Sequence, residues 1–409
     1  MHILIINHYA GSPNMGMEFR PYYLAQEWLK AGHQVTIIAA TYSHLREQNK
    51  TISKPIETET IDGILYVWVR TPKYKGNGFE RIKNMFTFVK TVWLKTDYFA
   101  KTLNPDIVIA SSTYPSDNYI AAKIAEKSNA KHIFEVHDLW PLSPQVLGNM
   151  SKYHPLIMLM QHAENFAYKH CDAVVSMLPN TCEHMKQHGL DLTKWHYIPN
   201  GIVLDDWIHA QPLPEKLQKI CDELKSNNVF IVGYAGGHAL SNALEVLIDA
   251  AKLLQNYPDI KILLVGDGAE KENLIKKATV LSNVIFDNPI PKLSVPNLLK
   301  IFDVAVIGAK KSPLYKYGIS PNKLMDYMMA KKPIIQYIET TPDILQTASC
   351  GITVEPDNPK ALADAILRLK DMTEEQRLKL GENGHQFVLK EHSYSVLSER
   401  FLDIMQNLL

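Results

Sequence analysis

The sequence carries no excess charge of either sign: 43 Lys and Arg face 43 Asp and Glu over 409 residues. A whole-molecule basic field that would hold nucleic acid is therefore excluded. Cysteine is scarce. Cys171, Cys182, Cys221 and Cys350 form neither a CxxC pair nor a zinc-like spacing, and read as reduced core thiols in a cytosol. The opening Met1–Asn7 lacks a basic region and a long apolar run, so it does not read as a signal peptide. No run of about eighteen apolar residues occurs, so no spanning helix is expected. Three motifs are also missing: the GxGxxG dinucleotide fingerprint, the GxSxG hydrolase elbow and any Asp-x-Asp metal pair.

What is present is 46% hydrophobic and long enough for two or three domains. Short β-branched runs alternate with amphipathic segments. The first series is Ile3–Ile6, Val35–Ala39, Ile64–Val69, Ile107–Ala110, Ile133–Val136 and Ala173–Ser176. The second is Val229–Val232, Lys261–Val265, Val284–Phe286, Val304–Ile307, Pro333–Gln336 and Gly351–Val354. Strict βα alternation predicts an α/β fold with two doubly wound, Rossmann-like domains. The bounds expected are 1–198 for the first, 199–385 for the second, and 386–409 for a closing helical segment. Ligands of such sheets sit beyond the carboxyl ends of the strands, so the cleft between the two domains is the expected site.

Four segments follow strands and carry chemistry. Asn7–Gly16 is a glycine-bearing loop that opens a helix with Glu18 and Arg20, offering N–H groups and a dipole to an anion. His137-Asp138 ends the fifth run and is the candidate catalytic pair. Gly236-Gly237-His238, before a helix expected from Ser241, and the Gly266-Asp267-Gly268 turn can bring backbone close to a diphosphate. Finally, Ser320-Pro321-Asn322-Lys323-Leu324-Met325-Asp326 reads as a capped helix start. Ser320 is the expected N-cap, Pro321 the first helical residue, Lys323 a phosphate contact and Asp326 the holder of a pair of sugar or ribose hydroxyls. A further segment, Arg70–Asn104, has eight basic residues against Glu80 and Asp97, with Phe86, Phe88, Trp93 and Phe99 interleaved. Its net charge of +6 predicts a helix lying on an anionic membrane surface.

Taken in order, these pieces resemble the GT-B glycosyltransferases of retaining family 4. The phrases that carry the resemblance include Lys30–Thr36, His137-Asp138, Ile198–Gly201, Tyr234–Gly236, Leu264–Gly268 and the helix with Asp326. It implies an acceptor-side first domain, a nucleotide-sugar-binding second domain and a final helix crossing back to the first. It also implies donor contacts at Gly16, Gly236, Gly237, His238, Gly266, Ser320, Asn322, Lys323, Leu324 and Asp326. Two departures stand out. The first member of the family's acidic pair falls on Gly318, and its diphosphate Arg and Lys fall on Gly237 and Asn242. Lys323, His238, Lys310 or Lys311 must then neutralise the diphosphate.

The chain is similar to a bacterial subgroup that builds O-antigen and capsule repeats and includes N-acetyl-L-fucosamine transferases. That similarity implies a UDP-linked donor, a lipid-linked saccharide acceptor and a peripheral place on the cytoplasmic face of the membrane. Retention by front-face attack needs no protein nucleophile, and no metal or other cofactor is expected. Two alternatives stay open at this stage: a nucleotide-sugar epimerase on the same architecture, and an inactive nucleotide-sugar-binding protein.

Overall fold

A computed structural model describes residues 1–16, 19–76 and 78–409. Glu18, named above, lies outside the described residues. The chain divides into two units, Met1–Asn200 with Tyr394–Leu409, and Gly201–Ser393.

Unit 1 holds strands β1 (His2–Ile6), β2 (Gln34–Ala40), β3 (Ile56–Ile61), β4 (Ile64–Val69), β5 (Ile107–Ala110), β6 (Lys131–Val136), β7 (Ala173–Ser176) and β8 (Trp195–Tyr197). They form one sheet in the order β3-β4-β2-β1-β5-β6-β7-β8. All pairs are parallel except β3 with β4. The central strands are buried along their length, His2 at the start of β1 excepted, as a sheet covered by helices on both faces requires. The order reverses between β1 and β5. Ligands collect at such a reversal, because the loops leaving the two strands turn to opposite faces and open a crevice.

Strict βα alternation fails at one place. β3 and β4 form an antiparallel hairpin, turned by Asp62 (φ 50°) and Gly63 (φ 85°). Two successive positive-φ residues are what a tight hairpin turn needs. The Ile-Glu-Thr-Glu-Thr-Ile run of β3 is only partly buried at the sheet edge, and so lacks the apolar signature of the buried strands.

The last helix, Tyr394–Leu408, belongs to unit 1. It packs on the helix Arg20–Lys30, with the Trp28 and Phe401 rings edge-on at 5.3 Å. Segment 386–409 thus divides between the helix Glu374–His392, in unit 2, and this one.

Unit 2 holds β9 (Phe230–Ala235), β10 (Ile260–Val265), β11 (Val284–Asp287), β12 (Val304–Gly308), β13 (Ile334–Tyr337) and β14 (Gly351–Thr353), all parallel, in the order β11-β10-β9-β12-β13-β14. Alternate residues feed two cores, one on each face. Val232, Tyr234, Ile262 and Leu264 enter one; Ile231, Leu263 and Val265 enter the other. The reversal lies between β9 and β12, so Gly236, Gly237 and His238 leave the sheet at its switch point.

Candidate active site

In unit 2 the loop after β9 and the loop after β10 cross backbone against backbone. Gly236 N–H donates to the Val265 carbonyl at 3.0 Å and His238 N–H to the Asp267 carbonyl at 2.7 Å. Gly266 sits at φ +151°, and a Cβ there would lie 1.9 Å from the Gly236 carbonyl oxygen. Gly266 is therefore required by this crossing, whether or not a ligand is present.

The Gly237 carbonyl accepts from the Tyr234 hydroxyl at 2.8 Å and from Asn242 Nδ2 at 2.7 Å. Those same two side chains receive Lys323. Its Nζ donates to the Tyr234 hydroxyl at 2.7 Å and to Asn242 Oδ1 at 3.2 Å, and stands 4.6 Å from the Tyr234 ring centre. A Cβ on Gly236 would be 3.3 Å from this Nζ. Lys323 is largely enclosed, and burial pushes its pKa down to about 8. Among the described residues no carboxylate pairs with it. A desolvated ammonium held by neutral groups against a glycine loop is an arrangement completed by an anion.

The other candidate cations are differently placed. Lys310 pairs with Glu245 at 3.2 Å and Lys311 with Glu339 at 3.3 Å. His238 is fully buried; burial first, then Lys271 and Lys323, bring its pKa down to about 4. Neither of its ring nitrogens has a partner among the described residues. At neutral pH it is uncharged, so it does not share the work of Lys323.

The helix expected from Ser320 begins instead at Asn322. Pro321 is extended (φ −78°, ψ 129°) and itself stands at the cap position, where its side chain makes no capping hydrogen bond. Pro321 cannot be the first helical residue because its ψ lies outside the helical range. Asn322 is exposed, and the Leu324 side chain is core, leaving only its backbone able to meet a ligand. Asp326 is half-buried. Burial pushes its pKa up to about 7, with Lys292 pulling down and Asp206 pushing up. Such a carboxyl can both donate and accept at neutral pH, which suits a hydroxyl pair. The helix expected from Ser241 also starts later, at Leu244, after Ala243 adopts φ 47°.

In unit 1 the two switch-point strands are tied by Asn7, whose Nδ2 donates to the Ser111 carbonyl at 2.7 Å. The Ser111 hydroxyl donates to Glu135 Oε2 at 2.6 Å. His137 Nε2 lies 3.0 Å from Ser111 Oγ and 3.2 Å from Glu135 Oε2. Since the hydroxyl hydrogen is already committed to Glu135, Nε2 must carry the ring proton. Burial would raise the Glu135 pKa; Arg20, then His137 and Ser111, overcome it and hold the carboxyl well below the usual carboxylate range. Arg20 Nε donates to Glu135 Oε1 at 2.9 Å, while its Nη2 donates to the Ile198 carbonyl at 2.9 Å and its Nη1 to that of Pro199.

The carboxylate hydrogen-bonded to His137 Nε2 is thus Glu135, two residues back on the same strand face. Asp138, expected as the partner, accepts from Leu139 N–H at 2.9 Å and the Ser143 hydroxyl at 2.7 Å and holds its own turn. The period of two along β6 could have revealed Glu135. Gly16 has φ 91°, and the loop it closes pairs with Arg46. Arg46, unmarked in the sequence, is buried against the Trp68 ring, with Nε and Nη1 lacking partners among the described residues.

Residues 15–206 match the family model Glycosyltransferase Family 4, and residues 229–371 match Glycosyl transferases group 1. These are the two domains of a glycosyltransferase. No curated protein matches the sequence. Solved GT-B structures share the fold over the full length. Anabaena HepE in complex with UDP is 15% identical with a TM-score of 0.71, each chain covered to 100%. Sucrose-phosphate synthase from Thermosynechococcus elongatus is 18% identical with a TM-score of 0.72, covering 100% of this chain and 98% of its own. A glycosyltransferase from Rickettsia africae is 20% identical with a TM-score of 0.68, again with 100% and 98% covered.

Proposed function

We propose that this glycosyltransferase moves a sugar from a UDP-linked donor, of the N-acetylated kind, to a hydroxyl of a lipid-linked saccharide, with retention of configuration. The observation that carries the reading is Lys323, an ammonium that no carboxylate among the described residues pairs with, set against Gly236 at the switch point of unit 2. Its Nζ bonds Asn242, one of the two positions at which the family's diphosphate cations are absent here. The charge missing from residue 242 is supplied by residue 323, at the same place in space. UDP as the carrier draws support from HepE, which has been solved with UDP and with UDP-glucose.

In this reading Lys323 and the N–H groups of the Gly236–Gly237 loop stabilise charge on the departing diphosphate. Asp326 holds donor or ribose hydroxyls. The acceptor hydroxyl attacks from the face that the diphosphate leaves, and its proton passes to the leaving phosphate. His137, kept as the Nε2–H tautomer by Glu135 and Ser111, orients substrate from unit 1. No divalent ion is required on the diphosphate. Arg46, a buried guanidinium whose Nε and Nη1 have no partner among the described residues, lies beside the Gly11–Gly16 loop and suits an anionic acceptor such as a lipid pyrophosphate.

Membrane attachment rests on the helix Phe79–Trp93. Phe79 (78% exposed), Lys83, Phe86 (64%), Lys90, Trp93 (41%) and Leu94 (69%) recur at helical spacing along its outer side. No helix among the described residues is long and apolar enough to cross a membrane, so a surface stripe of this kind is the means by which the chain reaches a lipid-linked acceptor. From there the enzyme extends O-antigen or capsule repeats on the cytoplasmic face, with N-acetyl-L-fucosamine as the candidate sugar.

The test is product analysis with UDP-sugars and extracted lipid-linked saccharides. Acceptor-dependent UDP release with a lengthened lipid-linked product is expected. Conversion of the donor sugar without acceptor would instead mark an epimerase, and nucleotide binding without turnover on any acceptor an inactive binding protein.

A further inference from the structure

Away from both candidate sites, unit 1 gathers a buried carboxylate and two imidazoles. Glu164 lies on the helix Pro155–His170 and is 1% exposed; His184 is 8% exposed and His188 half-buried. The two histidines are four residues apart. His188 N–H donates to the His184 carbonyl at 3.2 Å, so one helical turn puts both rings on the same side, with centres 4.6 Å apart. One ligand atom from each of the three residues lies within 4.8 Å of the others.

The Glu164 carboxylate has taken up its neutral neighbours. Oε1 accepts from the Tyr168 hydroxyl at 2.9 Å and faces His184 Nε2 at 3.3 Å; Oε2 accepts from Gln161 Nε2 at 2.7 Å. Gln161 Nε2 also stands 2.9 Å from His188 Nδ1. Among the described residues no lysine or arginine pairs with Glu164. A buried carboxylate without a cation is costly, and the nearest source of positive charge is what the two imidazoles can hold: a proton or a metal ion.

We propose that Glu164, His184 and His188 form a divalent transition-metal site, with zinc the ion the set fits best. Two histidines and a carboxylate are a common zinc set, which leaves a fourth position for water or for the Gln161 amide oxygen after a flip. Tetrahedral ligation at about 2.0–2.1 Å sets ligand atoms roughly 3.3 Å apart. The His184–Glu164 pair already stands at that spacing, and the half-buried His188 closes the set by a side-chain rotation and gives the ion its way in. The ion would clip the helix Pro155–His170 to the 182–188 turn across β7, a structural role independent of glycosyl transfer. Sequence spacing hides the site, because Glu164 precedes the His-x-x-x-His pair by twenty residues.

The full chain, stripped with chelator and dialysed, should take up one equivalent of cobalt with the visible band of a tetrahedral site, and zinc should displace it. Zinc should raise the midpoint of thermal unfolding by several degrees. Glu164→Gln keeps the shape of the hydrogen-bonded network but removes the charge; it and His188→Gln should each weaken binding at least a hundredfold. Tyr168→Phe, which breaks a network bond and no ligand bond, should retain binding. No stoichiometric uptake would overturn the proposal. So would undiminished binding in His188→Gln, which is half-exposed and keeps its fold even if Glu164→Gln does not.

Discussion

Replacing Lys323 by alanine should weaken UDP binding by about 1.5–3 kcal/mol, roughly ten- to a hundredfold or more, because it removes a charge-assisted phosphate contact. If the ammonium does stand in for one lost at position 242, Asn242→Lys in the Lys323→Ala background should recover part of that affinity. A double variant as weak as the single one would show that place matters more than charge. Asp326 gives a pH signature. Unfolded, it titrates near 3.8; folded, near 7. Between those values only the folded chain keeps the proton, so this group's stabilising contribution is complete at low pH and is lost as pH rises towards 7. Asp326→Asn should therefore raise the unfolding midpoint at pH 7.5 and flatten its pH dependence while weakening donor binding. An unchanged midpoint would mean that the carboxyl is solvated. In unit 1, Asp138→Asn should disturb only a turn. Glu135→Gln should lower turnover further, and it should also destabilise by about 3–5 kcal/mol, since Arg20 is left buried without its charge partner. Kinetics and thermal melts of the two variants separate these outcomes. His137 was legible as a polar group at a strand end. Its hydrogen bond to Glu135 was not, because an adjacent Asp reads as a pair in sequence, whereas adjacent residues on a strand point to opposite faces.

The helix Phe79–Trp93 shows what amphipathic reading gains and loses. Charge and composition marked Arg70–Asn104 as a surface element, and the lysines are exposed. The aromatics divide: Phe88 and Phe99 are core residues, while Phe86 and Trp93 face outward with Phe79. The +6 segment could not sort them, since it is broken into two helices, Phe79–Trp93 and Thr96–Leu103, whose faces turn independently. Phe88→Ala should cost about 3–5 kcal/mol of stability and Phe86→Ala almost nothing. Vesicle sedimentation reverses the order: Phe86→Ala should weaken binding to anionic vesicles, and Lys83, Lys90 and Lys95 replaced together by Glu should abolish it. Vesicle binding intact in the triple variant would place the membrane surface elsewhere. The hairpin of β3 and β4 escaped the βα pattern because an edge strand of alternating Glu and Thr buries too little to look like its neighbours. Its Asp62-Gly63 turn was the readable sign.

Across the whole molecule, the two doubly wound units follow directly from two series of buried β-branched runs, because a parallel sheet covered on both faces leaves little room for polar residues in its central strands. The switch points of both sheets then place Asn7–Gly16, Ser111, Gly236–His238 and Lys310 without further information. Side-chain pairings are less legible. Lys310 and Lys311 are taken by Glu245 and Glu339, His238 is neutral, and only the fold shows that Lys323 reaches across 81 residues to Asn242. The central claim is that this reach builds the donor diphosphate site. Calorimetric titration of UDP into the wild-type protein and into Lys323→Ala, both verified as folded, tests it most directly. The expected result is clear binding to the wild type and a loss of about tenfold or more in the variant. Equal affinity in the two proteins would contradict it.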